Sequence, residues 1–147
     1  MSLSERLNED MKAAMKSQDK FRLSVIRMMR SSIKNIEIDQ RRALDDAEVL
    51  DILSREIKQR RDSLQEFEKA GREDLSDNVK AEIAIISEYL PQQLTEEEIQ
   101  IIVQETIQET GASSKAEMGK VMGALMPKVK GRADGKLVNR WVQHYLQ

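Results

Sequence analysis

The chain has no cysteine, one histidine, two prolines and, among its 147 residues, one tryptophan, two tyrosines and two phenylalanines. Without cysteine there is no disulfide, no thiolate metal site and no cysteine nucleophile. The lone His144 lies three residues from the end and has no second histidine or cysteine as a companion, so no metal site is expected. No apolar run approaches the roughly 20 residues a membrane-spanning helix needs, so no membrane is expected. No period-two alternation marks a strand. The six glycines never form a G-x-x-x-x-G-K-S/T loop or a G-x-G-x-x-G turn. No nucleophile stands beside a plausible base, and acid pairs such as Asp45-Asp46 and Glu73-Asp74 fall at helix starts. Neither a catalytic residue nor a cofactor is therefore expected. The first residues, M-S-L-S-E-R-L-N-E-D, carry acids and no apolar leader, which predicts a soluble cytoplasmic protein.

What remains is charge and helical periodicity. Charged residues make up 34% of the chain, a helix-favouring, strand-poor composition with length enough for one ordinary domain or two small ones. The fold class is all-α: an N-terminal four-helix subdomain over residues 1–90, then a C-terminal three-helix subdomain over 91–147. Ser2 and Glu5 form a capping box for a helix over about 2–16, with Leu3, Leu7, Met11, Ala14 and Met15 as its apolar stripe. A helix over about 19–38 buries Leu23, Ile26, Met29, Ile33 and Ile36. On another of its faces Arg27, Arg30 and Lys34 line up, able either to touch phosphate or to pair with acids of a neighbour. Asp45 and Asp46 can cap a long helix to about Lys69, with Leu53, Ile57, Leu64 and Phe67 as its seam and Arg60 in the middle of it. A fourth helix, about 72–89, buries Leu75, Val79, Ile83, Ile86 and Leu90.

Leu90-Pro91-Gln92-Gln93-Leu94 is the boundary, because Pro91 biases Leu90 away from helix and the glutamines carry no period. Thr95 and Glu98 then form another capping box for a helix over about 95–110 that has five acids and no base. Ser114 and Glu117 predict the start of the next helix, about 114–127. Its Gly119 and Gly123 suggest a face where another backbone packs closely, and Pro127 is expected to end or kink it. Gly131 suits a left-handed helix end, and Asp134 can cap a last helix over about 134–146. From Lys115 onward the charge is lopsided. Lys115, Lys120, Lys128, Lys130, Arg132, Lys136 and Arg140 face only Glu117 and Asp134, a local excess of five on a chain whose formal net charge is −2. A positive end on an acidic protein suits an anionic partner.

The run M-G-K-V-M-G-A-L-M-P-K-V-K-G-R-A-D-G-K-L-V-N-R-W-V resembles the end of the YqeY-like proteins. These share their C-terminal module with the tail of the B subunit (GatB) of tRNA-dependent amidotransferases. S-R-E-I-K-Q-R-R-D-S-L-Q-E-F at 54–67, G-R-E-D-L at 71–75 and E-Y-L-P-Q-Q-L-T-E-E-E-I at 88–99 extend the likeness over essentially the whole chain. The resemblance implies a four-helix part followed by a three-helix part. It also implies a non-catalytic arm that holds the body of tRNA for an amidotransferase or a synthetase, with no metal or cofactor of its own. Carried over by position, the module's turn holds Lys128, Lys130, Gly131 and Arg132, followed by Asp134 and then Asn139; the candidate RNA-facing residues are these without Asp134, joined by Lys115, Lys120, Lys136 and Arg140 of the lopsided charge. Asp134-Gly135 stands where the tail module often has Asn-Pro, and an acid there is less welcoming to phosphate. Kinship to carbon–nitrogen ligases that use glutamine as amido donor also follows from the resemblance, but no residue here supplies that chemistry. Two other readings stay open: a docking module for a protein partner through residues 19–90, and an amidase or ligase component active only in a complex.

Overall fold

A capping side chain opens most of the helices. In the computed structural model, which describes residues 1–146, the helices are α1 (Leu3–Ser17), α2 (Lys20–Gln40), α3 (Asp46–Lys69), α4 (Glu73–Ser87), α5 (Glu96–Thr110), α6 (Met118–Val129) and α7 (Gly135–Tyr145). The protein is all-α, with seven α-helices and no strand among the described residues. The chain divides into two compact units, Met1–Leu90 and Pro91–Gln147.

In the first unit, Ser2 and Glu5 close a capping box on α1, and Asp45 and Glu48 close one on α3. Asp19 accepts from the Arg22 amide to start α2. Each cap satisfies amides that the first helical turn would leave without partners. Both Gln18 and Arg41 end their helices at positive φ, 58° and 55°. The core is Leu7, Ile26, Met29, Leu53, Ile57 and Ile86, with Val25, Ile33, Val49, Ile52 and Ile85 around them. Leu64 and Phe67 of the predicted α3 seam are only half-buried, so the far end of that helix lies outside this core.

Arg60 sits mid-seam as a polar clasp. Its Nε donates to Glu82 Oε2 at 2.7 Å, and its Nη1 donates to Glu56 Oε2 at 2.7 Å. Glu56 also accepts from the Ser32 hydroxyl at 2.8 Å, so α2, α3 and α4 meet there. Burial pulls the guanidinium's pKa down, but its hydrogen bonds to the two carboxylates and their charge outweigh it and the net shift is upward. At the end of α4, Tyr89 donates its hydroxyl to Asp10, and the Arg6 guanidinium lies 4.4 Å from the centre of its ring. Burial first, and the bond to Asp10 second, push the phenol well above its usual range.

In the second unit, α5, α6 and α7 bury Ile99, Val103, Val121, Leu125, Val129, Val138, Val142 and Leu146. Thr95 and Glu98 make the expected capping box. Trp141 and Tyr145 stack at 5.9 Å between centroids and pack against this core, and the Tyr145 hydroxyl donates to Gln100.

Two local expectations are revised in this unit. Ser114 makes no capping bond. A short 3-10 turn, Lys115–Glu117, comes first, and α6 begins at Met118. Of the two outcomes expected at Pro127, an end or a kink, the end does not occur there, since α6 runs on to Val129. The proline forfeits only its own amide bond. Val129, 2% exposed and one turn beyond Leu125, holds the following residues helical, and the Lys130 amide still reaches the Met126 carbonyl at 2.9 Å. Tertiary burial outweighs the local breaker.

Candidate nucleic-acid interface

The bend between α6 and α7 is built by its backbone. Gly131 takes φ of +74°, a conformation that costs glycine little. The Arg132 amide returns to the Val129 carbonyl at 2.9 Å. The segment just before α5 then fastens the bend. Gln93 Nε2 donates to the Gly131 carbonyl at 2.8 Å, and the Leu94 amide donates to the Arg132 carbonyl at 2.8 Å. Arg132 Nε adds a long bond to the Gln92 carbonyl, 3.4 Å. Residues 92–94, which carry no periodic signal, thus hold the bend in shape. Nothing in the sequence pattern singles them out, because the bonds are mostly to backbone.

Around this bend the cations do not share one fate. Lys128 turns inward: its Nζ lies 2.9 Å from Thr106 Oγ1 and 2.7 Å from Glu109 Oε2, tying α6 to the acidic α5. It belongs to the packing of the unit more than to its anion-facing surface. Arg132 is half-buried and leans along the 91–94 segment. Asn139 is half-buried too, and its Oδ1 accepts from Gln143. Lys115, Lys120, Lys130, Lys136 and Arg140 are exposed. Asp134 caps α7 by accepting from the Lys136 amide at 3.1 Å. That carboxylate already occupies the helix N-terminus, so a phosphate gains little there.

Helical period orders the exposed groups. Val121, Leu125 and Val129 define the buried stripe of α6. Opposite them, at spacings of three and four, run Lys120, Gly123 and Pro127, with Lys130 following as the C-terminal cap, all exposed. Lysines stand near both ends of this stripe, and between them the helix is almost bare. The two lysines are ten residues apart, about 15 Å along the axis. On α7, Lys136 and Arg140 are exposed one turn apart. A spread of that length fits a run of phosphates better than a single small anion.

The bare face serves no packing inside the unit. A Cβ added at Gly119 or Gly123 would meet no atom within 4 Å. The close packing that the sequence suggests at these glycines is not made within the unit: both are exposed to solvent. Among the described residues no group of acids and histidine could hold a metal ion, and no helix is long and apolar enough to cross a membrane.

A family model described as Yqey-like protein matches residues 4–146. Among curated proteins, the chain is 43% identical over 96 residues to Altered inheritance of mitochondria protein 41, mitochondrial, of Lachancea thermotolerans, covering 65% of this chain and 51% of that protein. The protein of the same name from Kluyveromyces lactis is 42% identical over 84 residues, 56% of this chain and 45% of that one. The one from Saccharomyces cerevisiae (strain YJM789) is 36% identical over 96 residues, 65% and 52%. The chain spans about half the length of these curated relatives. The cytoplasmic placement predicted from the sequence is overturned by them, since all three are named as mitochondrial proteins. Composition and hydropathy specify an aqueous surface, and more than one compartment offers that.

Proposed function

Because the chain belongs to the YqeY-like family, whose model matches residues 4–146, we propose that its C-terminal unit holds folded RNA, with tRNA as the expected partner. On this reading the grip serves an enzyme that acts on tRNA, an amidotransferase or a synthetase, and the chain makes or breaks no bond itself. The observation that supports it is the exposed stripe of α6 and its C-terminal cap, with Lys120 and Lys130 around a bare segment at Gly123 and Pro127, together with the exposed Lys136 and Arg140 of α7. Lysine and arginine neutralise phosphates, and a helix face without side chains lets a sugar–phosphate backbone come close. Base reading through stacking has little support, since Trp141 and Tyr145 pack against the core. Recognition therefore rests on shape and charge, with little sequence preference.

Filter binding of the purified chain to bulk tRNA, against an RNA duplex of matched length, tests this. Four phosphate contacts give a log–log salt slope of about −3. Reversing charge at Lys120, Lys130, Lys136 and Arg140 together abolishes retention, whereas Lys128→Gln leaves the slope nearly unchanged because Lys128 points at α5. No retention of tRNA by the wild type at low ionic strength would end this reading. Turnover of glutamine by the isolated chain would favour an amidase component instead.

A further inference from the structure

Away from the C-terminal unit, α1 and α2 frame a cleft of about 490 Å³. Its floor is Leu7, Ile33 and the half-buried Met11, and one wall carries Arg27, Arg30 and Lys34. These three cations project from α2 at positions i, i+3 and i+7, a row about 10 Å long. None has an acidic partner among the described residues. Arg30 rests its guanidinium on the Met11 sulfur. Glu37, at the end of the cleft, is engaged elsewhere and accepts from the Leu44 amide at 3.0 Å.

The complementary surface exists in the same sequence. On α5, Glu97, Ile101 and Glu105 follow one another at one-turn spacing, all exposed, and Ile101 leaves 55% of its surface in water. Glu97 and Glu105 form no ion pair among the described residues. An isoleucine between two acids fits a small apolar floor beside a cationic row. The two acids stand about 12 Å apart along α5 with Ile101 midway, and the cationic row is about 10 Å long, so two packed helices can match them over about two turns.

We propose that this cleft receives α5 of a second copy of the chain, Ile101 entering above Met11 while Glu97 and Glu105 pair with Arg27, Arg30 and Lys34. Each copy carries both a cleft and an α5 face, so each can give and receive the contact. It is independent of RNA binding by the second unit. A nucleic-acid backbone would use the cations but has no apolar group for the floor, which is why a helix is the better occupant.

Sedimentation velocity of the full chain over a wide concentration range tests this. A monomer–dimer equilibrium is expected at about 50 mM salt and should retreat toward monomer near 0.5 M, where charges are screened within about 4 Å. Arg27→Glu with Arg30→Glu, and separately Glu97→Lys with Glu105→Lys, should each weaken the dimer at least tenfold while circular dichroism shows unchanged helix. Mixing the two variants restores opposite charges across the interface and should recover a heterodimer. Recovery is the sharpest readout, because misfolded variants would not regain partners. A wild type that stays monomeric, or a dimer indifferent to the reversals, overturns the proposal. So does a monomer in which Arg27→Glu and Arg30→Glu abolish tRNA retention, which would make the cleft a nucleic-acid surface.

Discussion

Replacing Gly123 by alanine separates what the chain needs from what a partner needs. Gly123 lies mid-way along α6, does not adopt positive φ, and an added Cβ would meet nothing within 4 Å. Glycine in a helix interior costs about 1 kcal/mol relative to alanine. With no clash to set against it, Gly123→Ala should stabilise the chain by about 0.5–1 kcal/mol and raise Tm by roughly 2–6 °C. If an RNA backbone lies against this face, the same methyl forces it outward. Overpacking of a close approach costs about 1–3 kcal/mol, so tRNA affinity should fall at least about fivefold. Thermal unfolding by circular dichroism and filter binding on the same preparation give both numbers. A lowered Tm would show that the space around Gly123 is not open. A raised Tm with unchanged affinity would show that RNA does not touch the bare face, and the proposed RNA surface would have to move.

Arg60→Met should destabilise the first unit by about 2 kcal/mol in urea titration, because Glu56 and Glu82 would be left partly buried without their counter-charge. The figure is below that of a fully buried pair since these side chains keep 17–24% of their exposure. Restoration of stability by neutralising both glutamates would support that cause, and no loss at all would refute it. Lys128→Gln should cost about 1 kcal/mol by releasing Glu109 and the Thr106 hydroxyl, read as a lower midpoint in the same titration. Glu48, bonded by Arg42 and by the Asp45 amide, is held down to about 2. A carboxylate pKa depressed by folding adds stability above its unfolded value, near 4.5, and loses it as pH falls toward 2. Arg42→Ala should bring the Glu48 titration back toward 4.5 in a carboxyl NMR titration, so that this contribution shrinks throughout the range above 4.5; an unmoved titration would refute the pairing.

Helix starts and apolar stripes were open to reading because they depend on near neighbours. Ser2, Asp45, Thr95 and Asp134 cap where their spacing indicates, and the stripes of α2 and, except for the exposed Met15, of α1 enter the core expected of them. Features set by residues distant in the chain were not legible. Pro127 stays helical because Val129 is buried beyond it, a fact of the three-helix core and not of the local sequence. The acids of α5 and the lysines that follow it are both visible in the sequence. That Lys128 makes the bond depends on the register between the helices, which charge counting does not provide. Likewise Arg27, Arg30 and Lys34 form a visible row in the sequence, but only the packed α1–α2 pair shows them lining a cleft with an apolar floor.

The bonds from Gln92, Gln93 and Leu94 to the bend at 131–132 bear on how this part of the chain should be cut for study. A fragment beginning at Thr95 would hold α5, α6 and α7 complete yet leave the Gly131 and Arg132 carbonyls without their partners, and the lysines around them would lose their fixed setting. Weak RNA retention by such a piece would reflect the missing tether, so the shortest faithful fragment starts no later than Pro91.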